Sequence, residues 1–222
     1  MRVLVIKTSS LGDVVHALPA ITDARLAIPE ISFDWVVEEA FASIPSWHSA
    51  VTEVIPVALR RWRKSPFSKQ TRQQWREFKR HVSAADYDLI IDTQGLLKSA
   101  WLTRKANGTS HGLDRHSARE GLVAFSYDKT HHVSRDKHAI ERVRELFAKA
   151  LNYPLPQTPP EYGLSTSLPD TGSRQLVFLH GTTWQSKHWP EQYWQQMIEL
   201  ATNDGYQVQL PWGNDEEKAR AE

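Results

Sequence analysis

An α/β fold with mostly parallel sheets is what this sequence predicts, and three observations predict it. Short, branched apolar runs recur along the chain, such as Arg2–Ile6 (RVLVI) and 88–93 (DLIIDT), and they read as strands buried on both faces. Stretches with helical spacing of apolar residues lie between them. A proline-rich stretch at 152–168 has no helical period and reads as a linker, which divides the strand–helix series into 1–151 and 169–222.

The first strand, Arg2–Ile6, runs into the loop KTSSLGD. A helix fits 14–27, but Pro19 complicates it: the proline either kinks a helix that begins at Asp13 or sits in the first turn of one that begins near Leu18. Strands follow at 33–37 (FDWVV) and 53–57 (EVIPV), the latter with its proline near a strand end. Trp75, Phe78 and Val82 give 71–84 helical spacing. After the strand at 88–93 comes a helix in GLLKSAWLTRKA, and His111-Gly112 reads as a short strand and turn. In 138–150 a single face collects Ile140, Val143, Leu146, Phe147 and Ala150, an amphipathic helix. Beyond the linker come a strand at 175–179, a loop, a helix at 190–202 that opens on proline, a strand at 206–210 and the start of a helix at 214–222. Two strands bury too little surface to stand alone, so the second unit reads as incomplete and the chain as truncated.

Composition narrows the function classes. The hydrophobic fraction of 40% and charged fraction of 24% are those of an ordinary globular protein. A net charge of +1 gives no global field for nucleic acid or membrane, so any electrostatic targeting is local. There is no cysteine, which excludes disulfides and thiolate metal sites. Lys7 breaks the opening apolar run too early for a signal peptide, and no run is long enough to span a bilayer.

Three segments carry candidate chemistry. In Lys7-Thr8-Ser9-Ser10-Leu11-Gly12-Asp13, the loop leaves the carboxyl end of a strand, where open α/β sheets place ligands; Asp13 is either a general base or the N-cap of the next helix. Arg60-Arg61-Trp62-Arg63-Lys64 is an anion-binding cluster or a solvated basic loop. In His180–Pro190 (HGTTWQSKHWP), small residues and Lys187 lie between a strand and a helix start, the layout of a diphosphate site or of a polar surface loop. The standard phosphate loops, zincin and nucleophile-elbow motifs are absent. Asp86-Tyr87-Asp88 reads as a turn rather than a metal pair, and His131-His132 as surface residues. Of the nine tryptophans, Trp62, Trp184 and Trp189 lie beside polar clusters and are candidates to face a ligand, while Trp35, Trp75, Trp101 and Trp194 suit core packing.

Together the stretches KTSSLGDVVHALPAITDA, FDWVVEEAFASIPSWH, VIPVALRRWRK, HAIERVRELFAKALNY, FLHGTTWQSKHWPE and LPWGNDEE resemble the heptosyltransferases of the bacterial lipopolysaccharide inner core, glycosyltransferase family 9. The resemblance implies a GT-B fold, two Rossmann-like domains that face a cleft, with acceptor on the first and nucleotide sugar on the second. It implies transfer of L-glycero-D-manno-heptose from ADP-heptose to the Kdo of Kdo2-lipid A, with inversion and with Asp13 as base. Thr182, Thr183 and Lys187 fall on the motif that binds the donor diphosphate, Glu217 on the position that contacts the nucleoside, and Arg60, Arg63 and Lys64 on the segment that meets the acceptor. A monomer that works without a metal or other cofactor is expected, cytoplasmic and peripheral to the inner membrane, with no nucleic-acid partner. The family's D-T-G-x-x-H donor motif is not found in this sequence. Two alternatives stay open: a remnant that binds acceptor only, and a family member that acts on the next core heptose.

Overall fold

The computed structural model describes residues 1–164, 174–182 and 185–222. The chain forms two compact units, Met1–Ser165 and Thr166–Glu222.

The first unit is a six-stranded parallel sheet between two layers of helices. Its elements are β1 Arg2–Ile6, α1 Leu11–Val15, α2 Leu18–Ala27, β2 Ser32–Glu38, β3 Val51–Val57, α3 Leu59–Lys64, α4 Lys69–Ala84, β4 Asp86–Asp92, α5 Leu97–Thr103, β5 Asn107–Leu113, β6 Lys129–His131 and α6 Ala139–Leu151. The strands lie in the order β3-β2-β1-β4-β5-β6, and every pairing is parallel. Residues 3–6 of β1 are wholly buried because the strand has a partner on each side and a helical layer on each face. Side chains alternate across a strand. Val3 and Val5 therefore join the core shared with α2 and α6, while Leu4 and Ile6 join the one that contains Phe78 and Val82 of α4.

The Pro19 question resolves in favour of the second alternative, with a separate short helix before it. One short helix, α1, carries Asp13, and a second, α2, begins at Leu18 with the proline in its first turn. Two strand-flanking segments, one read as either an anion-binding cluster or a solvated loop and the other as a turn, are regular. Arg60–Lys64 lies in helix α3, and Asp86-Tyr87-Asp88 begins β4, with the Asp88 carboxylate accepting from the Arg2 amide at 2.7 Å. Asn152, in the left-handed conformation that asparagine tolerates (φ 58°), ends α6. The stretch from there to Leu164 packs on the first unit: Tyr153 and Tyr162 touch the core, and Arg144 donates to the Thr158 carbonyl at 3.0 Å. The same buried guanidinium holds Asp23 of α2 through two hydrogen bonds, at 2.6 and 3.2 Å.

The tryptophans divide differently from expectation. Trp35 is wholly buried. Trp62 is not ligand-facing but buried, since α3 must turn one face to the core; its indole donates to Gln74 at 2.9 Å and meets Trp75 edge-on. Trp101, expected in the core, stacks on Trp75 with 3.8 Å between ring centroids and leaves its other side in solvent. His131 is half-buried and hydrogen-bonds His111 at 3.0 Å.

The second unit contains β7 Gln175–Val177, α7 Glu191–Asn203, β8 Gln207–Gln209 and α8 Asp215–Ala221, with β7 and β8 paired in parallel. No helix among the described residues is long and apolar enough to cross a membrane.

Candidate functional site

In the first unit the chain winds outward from β1 in both directions, so the crevice between the carboxyl ends of β1 and β4 is the point where strand order reverses. Loops diverge there and leave room for a ligand. A cavity of about 210 Å³ occupies this point, lined by Lys7, Asp13 and His16 after β1, Thr93 and Gln94 after β4, and Arg119 and Arg142.

Asp13 is anchored by one oxygen and open at the other. Its Oδ2 accepts from the Ser10 amide at 2.8 Å and the Ser10 hydroxyl at 2.7 Å. Ser10, not Asp13, is the N-cap of α1, and Asp13 is the third helical residue of the capping box. Oδ1 lies 3.9 Å from the Lys7 ammonium, and the carboxylate side chain is 43% exposed. Burial pushes the Asp13 pKa up, but the Ser10 hydroxyl and amide, then Lys7 and His16, outweigh it and hold the group below the ordinary aspartate value. The group is therefore ionised at neutral pH, with one oxygen free to accept a proton.

The loop that presents Asp13 is held from β4. Asp92 is wholly buried; its Oδ1 accepts from the amides of Gln94 (2.8 Å) and Gly95 (3.3 Å), and its Oδ2 from the Tyr127 hydroxyl (2.8 Å). Gly95 turns through φ +63°, a conformation that disfavours a side chain. That turn aims Gln94 at the neighbouring loop, where its Oε1 accepts from the amides of Thr8 (3.1 Å) and Ser9 (3.2 Å). Lys7 is buried, and its ammonium donates to the Thr93 carbonyl at 3.4 Å; burial lowers its pKa, against the opposing pull of Asp13 and Asp92. Sequence reading had Lys7 as a break in an apolar run and as the start of the candidate loop, with no role of its own. That break is the signal, because a lysine at the end of a buried strand has to be satisfied by something.

Arg60, Arg63 and Lys64 are exposed on α3, after β3 at the edge of the sheet. Arg61, in the same run, is paired with Glu39 at 2.8 Å and donates to Gln74, so it is a structural member of the cluster.

In the second unit Thr182 and Glu217 line one open cavity of about 870 Å³. Glu217 is placed by helix capping: its amide donates to Asn214, the N-cap of α8, at 2.9 Å, and its carboxylate accepts from the Gly213 amide at 2.8 Å. Gly181 lies close beside it: a Cβ there would be 2.6 Å from the Glu217 carboxylate, which would have to shift. Lys187 is exposed on a single 3-10 turn, Gln185–Lys187, and is not among the residues that line this cavity. Thr183 and Trp184 lie outside the described residues. The cation that does line it is Arg220, which sequence reading missed; its guanidinium meets His188 Nδ1 at 2.9 Å, and His188 Nε2 meets the Thr182 carbonyl at 2.9 Å. Only the helical spacing of Glu217 and Arg220, one turn apart, hints at it. Among the described residues no group of three or more His, Asp or Glu is placed to hold a metal ion.

A Rossmann-type parallel sheet with an accessible carboxylate at its reversal point, joined in one chain to a second parallel unit, has the layout of an α/β group-transfer protein. The chain belongs to glycosyltransferase family 9 (heptosyltransferase), whose sequence profile matches residues 75–222. It is 56% identical to lipopolysaccharide heptosyltransferase 1 of Pseudomonas aeruginosa over its whole length, covering 63% of that protein. It is 52% identical to the protein of the same description from Escherichia coli K12, covering 71% of it. The solved E. coli heptosyltransferase WaaC with ADP superposes with a TM-score of 0.96 at 52% identity, over all of this chain and 71% of that one. A second WaaC structure, with ADP-2-deoxy-2-fluoro heptose, matches equally well. The fold class is thus α/β of the GT-B type.

Proposed function

We propose that this chain acts in lipopolysaccharide core synthesis as an ADP-heptose-dependent heptosyltransferase, transferring heptose to the Kdo of Kdo2-lipid A with inversion. Family membership and the descriptions of the relatives support the substrate class. The observation that carries the mechanism is the half-anchored Asp13 carboxylate, fixed through Oδ2 and free at Oδ1 in the cavity between β1 and β4.

A sugar hydroxyl is a poor nucleophile until its proton leaves. Asp13 Oδ1 takes that proton as the new C–O bond forms to the anomeric carbon, and the bond to ADP breaks on the opposite face. A single displacement with one base inverts the anomeric centre. The leaving diphosphate gains charge, which hydroxyl and ammonium donors offset. Thr182, Thr183 and Lys187 are assigned that role, Glu217 contacts the nucleoside, and Arg60, Arg63 and Lys64 hold the anionic acceptor. No metal or other cofactor enters this scheme. The protein is proposed to work as a monomer, peripheral to the cytoplasmic face of the inner membrane, without a nucleic-acid partner.

Asp13→Asn tests the assignment, because it keeps the shape and removes the base. Turnover is expected to fall by roughly 10²–10⁴-fold, with ADP-heptose affinity by calorimetry essentially unchanged. Near-normal turnover would remove Asp13 from the mechanism.

A further inference from the structure

The loop that carries Thr182 rests on α8 at both of its ends. At one end Gly181 lies against the Glu217 carboxylate, where a Cβ would come within 2.6 Å. At the other, His188 meets Arg220, one helical turn beyond Glu217, at 2.9 Å. All four residues line the same cavity of about 870 Å³.

The contact between His188 and Arg220 has one chemical sense. A guanidinium has donors and no acceptor, so His188 Nδ1 accepts and carries no proton. The Thr182 carbonyl can only accept, so His188 Nε2 carries the proton and donates to it at 2.9 Å. Both partners select the same neutral tautomer, and the bonds run in one direction, from Arg220 through the ring to Thr182. Moving the proton to the other nitrogen would break both bonds at once. The ion pairs of Arg220 do not account for its place. Among the described residues its carboxylate neighbours are Glu216 at 3.6 Å and Glu191 at 3.8 Å, both on exposed side chains, and such pairs contribute little. The Arg220 side chain is only 15% exposed, and the short, directed bond it makes is the charge-assisted one to the ring.

We infer that Arg220, acting through His188, is a positioning residue of the donor site, which holds the Thr182 loop in the arrangement that receives the donor diphosphate. The inference rests on the proposed function, since it takes this cavity as the place of the nucleotide sugar. A cation in such a site would ordinarily meet phosphate itself. Here the guanidinium is committed to a ring nitrogen, so its contribution passes through the loop. α8 then serves both parts of the donor, with Glu217 at the nucleoside and Arg220 behind the loop that meets the diphosphate.

The test is ADP binding by calorimetry to the wild type, Arg220→Ala, His188→Ala and the double variant. Each single substitution is expected to weaken binding about tenfold, and the double variant to be no weaker than either single one. Arg220→Lys, which keeps a charged donor, should recover part of the loss. A direct contact between Arg220 and the diphosphate predicts losses that multiply. That result, or a single variant that binds as tightly as wild type, would overturn the inference. Imidazole ¹⁵N spectra in alkaline buffer give a second readout that needs no nucleotide. His188 should show a protonated Nε2 and a bare Nδ1, with the Nδ1 signal shifted in Arg220→Ala; a ring protonated at Nδ1 in the wild type would also overturn the inference. A wild-type protein with the expected spectrum that binds no ADP would overturn the proposed function and the inference with it, whereas multiplying losses in a protein that binds ADP overturn the inference alone.

Discussion

The two units use the same alphabet of strand, loop and helix, yet they differ in how far burial has gone. In the first, β1 has a partner strand on either side and residues 3–6 are fully buried. In the second, β7 has one partner, Val177 is 55% exposed, and among the described residues Ala201 is the one buried apolar side chain. Strand propensity makes both segments extended; only the neighbours make one of them a core. Stability is therefore expected to reside in the first unit, and substitutions can sharpen or break that contrast.

The largest effect is expected at the buried ion pair. Arg144→Ala strands Asp23 without a partner and removes the tie to Thr158, and it should cost about 3–5 kcal/mol in urea unfolding. Leu4→Ala, in the centre of the sheet, should cost about 2–5 kcal/mol. Val177→Ala in the second unit should stay within about 0.5 kcal/mol, and a loss as large as that at Leu4 would abolish the contrast.

Acid should narrow the gap between the units. Burial, with His131 and Lys129 beside it, lowers the His111 pKa to about 4. A histidine whose folded pKa is depressed stabilises the fold above its unfolded pKa, and this contribution is lost as pH falls through the window from about 6.5 towards 4. Between pH 7 and pH 5 the first unit should lose at most about 2 kcal/mol through this group, and His111→Gln should flatten the dependence. A wild-type unfolding midpoint unchanged across that range would remove His111 from the account.

Much of this was legible in the residues. RVLVI could hardly be anything but a buried strand, and α6 lies within a residue of where its apolar stripe predicts it. What escaped was set by distant partners. β6 is three polar residues, Lys-Thr-His, that become a strand only because β5 offers an open edge. β5 itself reads NGTSHGL, poor in strand formers, and Gly108 is needed where the chain passes the Tyr87 carbonyl. Trp62 looked ligand-facing because nothing local shows that it finds Trp75 and Gln74. At the site, Asp13 could be picked out by its place after a strand. The hold that Gln94 has on its loop could not, since the contacts with Thr8 and Ser9 span some eighty-five residues of chain.

Gln94 has one more consequence. A single carboxamide oxygen gathers the amides on which the loop before α1 depends, and it does so without bringing a formal charge. Exchanging that amide for an acid would keep the same acceptor in place, yet set a second negative group near the Asp13–Lys7 pair. Scaffold and charge balance are thus separable here, and a neutral tether lets the proton acceptor be tuned without disturbing what supports it.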